Sequence, residues 1–216
     1  TLAQLAQQVN GLEVELRDAG VRLGDRVLVA AENCPEHVAL VLACSRVGAW
    51  ACGVNARMTA SELAGFAAKA DARVVYFTVG ISAAARQHAD QHTTLPSVLP
   101  ALQRTPTNTA ATAQTGALAE RVAAIIFTSG TTGQPKGVML THTGLLQFGK
   151  ISSQSRQLEP ADRSYAYLPM THIFGLGTVL MASLYAGAGL LMRSQFDPAD
   201  VIEALAHQGM TQLQGP

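Results

Sequence analysis

Apolar residues advance by alternating steps of three and four over Leu2, Leu5, Val9, Leu12 and Leu16, which predicts one helix face, ended by Gly20. Arg26 to Ala30 then reads as a short strand after the Gly24-Asp25 turn. Pro35 opens a helix that is apolar nearly all round to Val47, and Trp50 to Val54 is the next strand. Thr59-Ala60-Ser61-Glu62 matches a capping box at the start of another helix, and Arg73 to Phe77 closes a third helix-and-strand repeat. Such alternation predicts an α/β fold with a mostly parallel sheet covered by helices.

From about Gln103 to Glu120 the chain is rich in Thr, Ala, Pro and Gln and has no apolar period, so it reads as a linker. The predicted organisation is a first α/β subdomain over 1–102, a linker over 103–120, and a second α/β subdomain over 121–216. The second contains strands at Val122 and Val138-Met139-Leu140, a helix begun by His142, and a strand over Ser164 to Leu168. A helix begun by Asp197-Pro198 and stopped at Gly209 follows, then a β-type run over Met210 to Leu213. Residues 173–192 carry no charge and are long enough to span a bilayer. Gly175, Gly177, Gly187 and Gly189 interrupt them, however, so a buried helix ending near Gly187 and a strand from Gly189 to Met192 are expected instead.

The 216 residues include fifteen basic and fifteen acidic side chains, no Lys/Arg cluster stands out, and 5% are aromatic. Neither the charge nor the stacking surface for nucleic acid is present. Only 14% are charged, against a typical share of roughly a quarter. That balance fits either a face covered by something else or an alanine-rich bias. Cys34, Cys44 and Cys52 lie in or beside apolar runs without C-x-x-C spacing, which reads as reduced core thiols of a cytoplasmic protein. His88 and His92 stand four apart, but no carboxylate or Cys completes a ligand set, so a solvated face is expected and no metal site is assigned.

The chemistry concentrates where the apolar run Ile125-Ile126-Phe127 gives way to Thr128-Ser129-Gly130-Thr131-Thr132-Gly133-Gln134-Pro135-Lys136-Gly137-Val138. A polyphosphate needs closely approaching backbone N–H groups, small hydroxyl donors and a cation. Gly130, Gly133 and Gly137 permit positive φ, Thr128, Ser129, Thr131 and Thr132 supply hydroxyls, and Lys136 supplies a compact charge. A kinase-type P-loop requires Gly before the lysine, Ser or Thr after it, and a following helix. Pro135, Gly137 and the β-type run after them exclude it, leaving a phosphate clasp inside a hairpin or, as the bland alternative, a turn without ligand.

A second constellation, Tyr167-Leu168-Pro169-Met170-Thr171-His172-Ile173-Phe174-Gly175, follows a strand and therefore leaves the carboxyl edge of a sheet, where α/β proteins bind ligands. By itself His172 fits a capping or core histidine as well as a functional one.

The loop resembles the signature loop of the adenylate-forming superfamily of acyl-CoA synthetases, luciferase-like enzymes and peptide-synthetase adenylation domains. Gly20 to Val27, Gly48-Ala49-Trp50, Val54 to Arg57 and Glu62-Leu63 are similar to the start of an acyl-CoA synthetase, so the resemblance spans nearly the whole chain. Asn55 and Arg57 are read as scaffold. The resemblance implies the front part of the large domain of an ATP-dependent carboxylic acid:CoA ligase acting on a fatty or aryl acid, with ATP, Mg2+ and CoA as its small-molecule requirements. It implies that Lys136, with Thr128, Ser129, Gly130, Thr131, Thr132 and Gly133, holds the β- and γ-phosphates. It also implies that His172 orients the carboxylate or adenylate while Phe174 and Gly175 shape the acid pocket. Amino-acid-activating relatives place an Asp in this stretch, and none occurs between Tyr165 and Arg193. The family's adenine, ribose and catalytic-lysine motifs are not found before Pro216, so the remainder of the same polypeptide is an expected partner and the segment alone is expected to be inactive. The rival expectation is a truncated or degenerate nucleotide-binding module without catalysis.

Overall fold

The computed structural model describes residues 1–128 and 136–215, in two compact units, Thr1–Thr141 and His142–Pro216. The first unit runs α1 (Leu2–Asp18), β1 (Arg26–Ala31), α2 (Pro35–Val47), β2 (Trp50–Asn55), α3 (Ala60–Ala70), β3 (Ala72–Phe77) and α4 (Ala83–Ala89). Two short strands follow, β4 (Leu95–Pro96) and β5 (Gln103–Arg104), then α5 (Ala117–Arg121), β6 (Val122–Thr128) and β7 (Lys136–Thr141). The helix ends expected at Gly20, Pro35 and Thr59 hold, Thr59 forming its capping box; Thr1 forms a second one, Cys34 accepts from His37 N–H ahead of Pro35, and Gly20 and Gly48 turn left-handed after their helices.

The strands form one seven-stranded sheet in the order β4-β5-β3-β1-β2-β6-β7. Its centre, β3-β1-β2-β6, is parallel, and antiparallel strands edge it on both sides. Strand alternation sends Leu28, Ala30, Cys52, Val54 and Phe77 into one apolar layer with Leu63, Phe66 and Ala70 of α3. The opposite face meets α1, where the Tyr76 hydroxyl donates to Glu15 at 2.7 Å. All three cysteines are buried free thiols, and burial pushes Cys34 and Cys52 up to about 12, so they are inert core groups as expected.

Residues 103–120 do not behave as a linker. Two buried arginines bind this segment to the amino end of the sheet. Arg73 donates to the Asn108 carbonyl and to Asp25 Oδ1 at 3.0 Å, and Arg26 donates to the carbonyls of Thr112, Gly24 and Ala70. Gln114 N–H closes on the Gly24 carbonyl, and a Cβ at Gly24 would lie 2.0 Å from Gln114 O. Because β6 then pairs with β2, the strand assigned from sequence to the second subdomain belongs to the first sheet, and the division falls between 141 and 142. His88 also departs from expectation. It is 7% exposed, with Nε2 at 3.0 and 2.9 Å from the Ala56 and Met58 carbonyls, so it pins the turn after β2, while His92 stacks on Phe77.

The second unit contains α6 (His142–Ser155), β8 (Arg163–Ala166), a π-helix over Phe174–Met181 continuing as α7 (Ala182–Ala186), β9 (Gly189–Met192), α8 (Pro198–His207) and β10 (Gln212–Leu213). Its three strands are parallel in the order β10-β8-β9. Tyr165 and Ala204 centre its buried cluster. Gly187 ends α7 in the left-handed conformation and β9 follows, as the interrupted apolar run requires. Among the described residues no helix is long and apolar enough to cross a membrane.

Asp25→Asn leaves a buried guanidinium without its counter-charge and is expected to lower unfolding free energy by about 3–5 kcal/mol. Amide exchange over 107–115 should accelerate with it, and an unaltered denaturation midpoint would exclude this role. His37, 1% exposed, is held neutral because burial pushes it down from 6.5 to about 4. Between those values the unfolded chain takes the proton and the folded one does not. The stability is therefore full above about pH 6.5 and declines on acidification, by at most about 1.4 kcal/mol per pH unit. The urea midpoint is expected to fall between about pH 6.5 and 5 less steeply in His37→Gln than in the parent.

Candidate functional site

In the first unit β1, β2, β3 and β6 run parallel, so Ala31, Asn55, Phe77 and Thr128 end on one edge of the sheet. β6 is buried from Val122 through Ile126 and becomes exposed at Thr128, where the hydroxyl-rich turn begins. Phe127 packs on Phe66 at a ring separation of 4.7 Å and anchors this exit. The hairpin is confirmed: Thr128 and Lys136 are register partners, with Thr128 Oγ1 donating to Lys136 O at 3.5 Å. Of the expected phosphate contacts, Ser129, Gly130, Thr131, Thr132 and Gly133 lie outside the described residues. Lys136 is exposed, and its ammonium makes no ion pair or hydrogen bond among the described residues.

Gly137 sits in β7 without the positive φ that glycine permits. Its requirement is space, since a Cβ there would lie 3.0 Å from Ile125 Cγ2 across the hairpin. Asn55 and Arg57 stand on the same carboxyl edge. The Asn55 side chain accepts from Arg57 N–H at 2.9 Å, and Arg57 Nε donates to Glu32 at 2.7 Å. Glu32 was invisible as a partner in the sequence because twenty-five residues separate it from Arg57.

In the second unit β8 ends at Ala166, two residues before the expected Leu168, and residues 167–172 lead from its carboxyl end into the π-helix. His172 is exposed and stands one residue before Ile173, the N-cap of this helix. Its Nδ1 accepts from Phe174 N–H at 3.3 Å, its own N–H donates to Pro169 O, and its carbonyl accepts from Leu176 N–H. With Nδ1 accepting, a neutral ring carries its proton on Nε2. Gly175 is buried against the preceding turn, where a Cβ would lie 2.2 Å from Pro169 O.

A polar network that the sequence did not reveal braces this edge. Arg193, just after β9, forms a forked pair with Asp200 of α8 at 2.5 and 3.1 Å, and Tyr165 donates to Asp200 at 2.6 Å. Arg193, then Tyr165, hold the Asp200 carboxyl below its ordinary value. Burial, followed by the Asp200 bond, pushes the Tyr165 phenol up to about 12. These groups are mutually neutralised and serve as bracing. Among the described residues no group of three or more His, Cys, Asp or Glu could hold a metal ion.

The family model described as AMP-binding enzyme matches residues 1–216. The feruloyl-CoA synthase of Amycolatopsis sp is 31% identical over 222 residues, covering 100% of this chain and 43% of that protein. The 4-coumarate--CoA ligase 1 of Solanum tuberosum is 25% identical, covering 98% of this chain and 41% of that protein. Among solved structures, ATP-bound MatB from Rhodopseudomonas palustris superposes with a TM-score of 0.77 at 27% identity, over 99% of this chain and 43% of that one. The chain thus spans less than half the length of these relatives.

Two glycine substitutions separate close approach from helix propensity. Gly175→Ala forces backbone apart and is expected to cost about 2 kcal/mol or more. Gly65→Ala in α3, where a Cβ meets nothing within 4 Å, is expected to stabilise by roughly 0.5–1 kcal/mol. Thermal denaturation of the two variants checks the opposite signs.

Proposed function

The chain belongs to the AMP-binding enzyme family, and from that membership we propose that it carries the triphosphate-binding hairpin and part of the acid pocket of an ATP-dependent carboxylic acid:CoA ligase. The observation that carries the reading is the Thr128–Lys136 register, which makes an exposed hydroxyl and an exposed lysine the two posts of the hydroxyl- and glycine-rich turn. Both stand on the edge where α/β sheets take ligands. The relatives named for CoA ligation of ferulate and 4-coumarate favour an aryl or fatty acid, as does the lack of an Asp between Tyr165 and Arg193.

In the proposed reaction a carboxylate oxygen forms a bond to the α-phosphorus of ATP while the bond to the bridging oxygen breaks, releasing pyrophosphate and an acyl-adenylate. A CoA thiol then attacks the acyl carbonyl, loses its proton, and expels AMP. Lys136 and the turn's hydroxyl and amide donors stabilise charge gathering on the departing β- and γ-phosphates. Mg2+, where it is bound with the nucleotide, would add positive charge against the departing phosphates. In the second unit the Nε2–H of His172 is assigned to hold the acid's carboxylate or the adenylate, with Phe174 and Gly175 shaping the pocket wall.

Lys136→Ala in the full-length protein is expected to depress acid-dependent ATP–pyrophosphate exchange by about a hundredfold or more. Unchanged exchange removes Lys136 from the mechanism. A parent protein that binds ATP but exchanges pyrophosphate with no acid of an aryl and fatty panel is a nucleotide-binding module instead.

A further inference from the structure

The helix that follows His172 begins with the wrong winding. Phe174–Met181 is a π-helix of eight residues, whereas π-winding usually occurs as a single turn and concentrates at functional positions. Its sequence, FGLGTVLM, contains no proline to force the change. Close approaches grip it on several sides. Gly175 fits against the Leu168 and Pro169 carbonyls, and Gly177 fits under the Phe148 ring, 2.5 Å from where its Cβ would stand. From α6, Gly149 lies against Met181, with a virtual Cβ 2.9 Å from its carbonyl oxygen.

The cationic side chain of Arg156 reaches this backbone. Arg156 closes α6 in a Schellman turn: Gln157 takes φ 52°, its N–H bonds Gln154 O, and Leu158 N–H bonds Ser153 O. From that fixed base Arg156 Nε donates to Ser152 O at 2.9 Å, and Nη2 donates to the Thr178 carbonyl in the middle of the π-helix. In an α-helical ladder Thr178 O would accept from Ala182 N–H, which here bonds Val179 O instead. The guanidinium ties the middle of the π-helix to the end of α6.

We propose that Arg156 is a positioning residue for acid recognition, holding through the Thr178 carbonyl the π-winding that sets where His172, Phe174 and Gly175 stand. The inference rests on the acid-pocket reading above. A shift of one helical register at Thr178 would move Phe174 and His172 together, because His172 bonds Phe174 N–H and Leu176 N–H within the same turn. The planar fork matters, since a lysine at 156 could reach one carbonyl but not span two with fixed geometry.

The test uses the full-length enzyme, with Michaelis constants for acid and ATP measured separately by pyrophosphate exchange. If no acid supports exchange by the parent, the functional reading has failed and the inference falls with it. If the parent is active, Arg156→Ala is expected to raise the acid KM about tenfold while the ATP KM stays within about twofold, and Arg156→Lys is expected to fall between Ala and the parent. A loss confined to the amount of active enzyme, with both constants unchanged, would overturn the proposal with the functional reading intact. Should the alanine variant not fold, Arg156→Lys decides. A raised acid KM with ATP KM unchanged supports the role, and an unchanged acid KM overturns it.

Discussion

The parallel pairing of Ala51, Cys52 and Gly53 with Ala124, Ile125 and Ile126 is the constraint on which the candidate site depends. It draws β6 into the centre of the sheet, buries the strand through Ile126, and so delivers Thr128 to the same edge as the ends of β1, β2 and β3. A strand at the sheet margin could slip in register, but one paired on both sides and packed through Phe127 on Phe66 of α3 cannot do so without exposing its apolar face. The hairpin partner β7 is exposed along most of its length, so its register is inherited from β6.

That constraint needs the amino end of the sheet closed, and the closure is electrostatic. Arg26 and Arg73 are nearly buried, and their donors go to backbone carbonyls of residues 70, 108 and 112 as well as to Asp25 and Asp71. The segment they hold leads directly into α5 and β6. In the second unit the counterpart is Arg193 with Asp200 and Tyr165, which fixes α8 against β8 and β9. Lys136 and His172 are left exposed.

Much of this was legible in the sequence wherever a short-range pattern carried the physics. The capping box at Thr59, the proline at the head of α2, the hairpin around residues 128–136 and the Gly187 stop all follow from local chemistry. What was not legible depended on distant partners. The Thr/Ala/Pro-rich stretch has no apolar period because its hold on the sheet is made by backbone carbonyls and two arginines far away in sequence, so composition alone made it a linker. His88 read as solvated because nothing local announces the carbonyls of Ala56 and Met58. The π-winding after His172 was equally hidden, since the residues that approach it closely, Phe148 and Gly149, lie about thirty residues earlier in the chain.

The central claim is that the turn between Thr128 and Lys136 grips a nucleoside triphosphate, and a crystal structure of the full-length protein with a non-hydrolysable ATP analogue tests it most directly. The account predicts the β- and γ-phosphates within hydrogen-bond distance, about 3 Å, of the turn's donors and of Lys136 Nζ. An analogue bound with its phosphates away from that turn would contradict it.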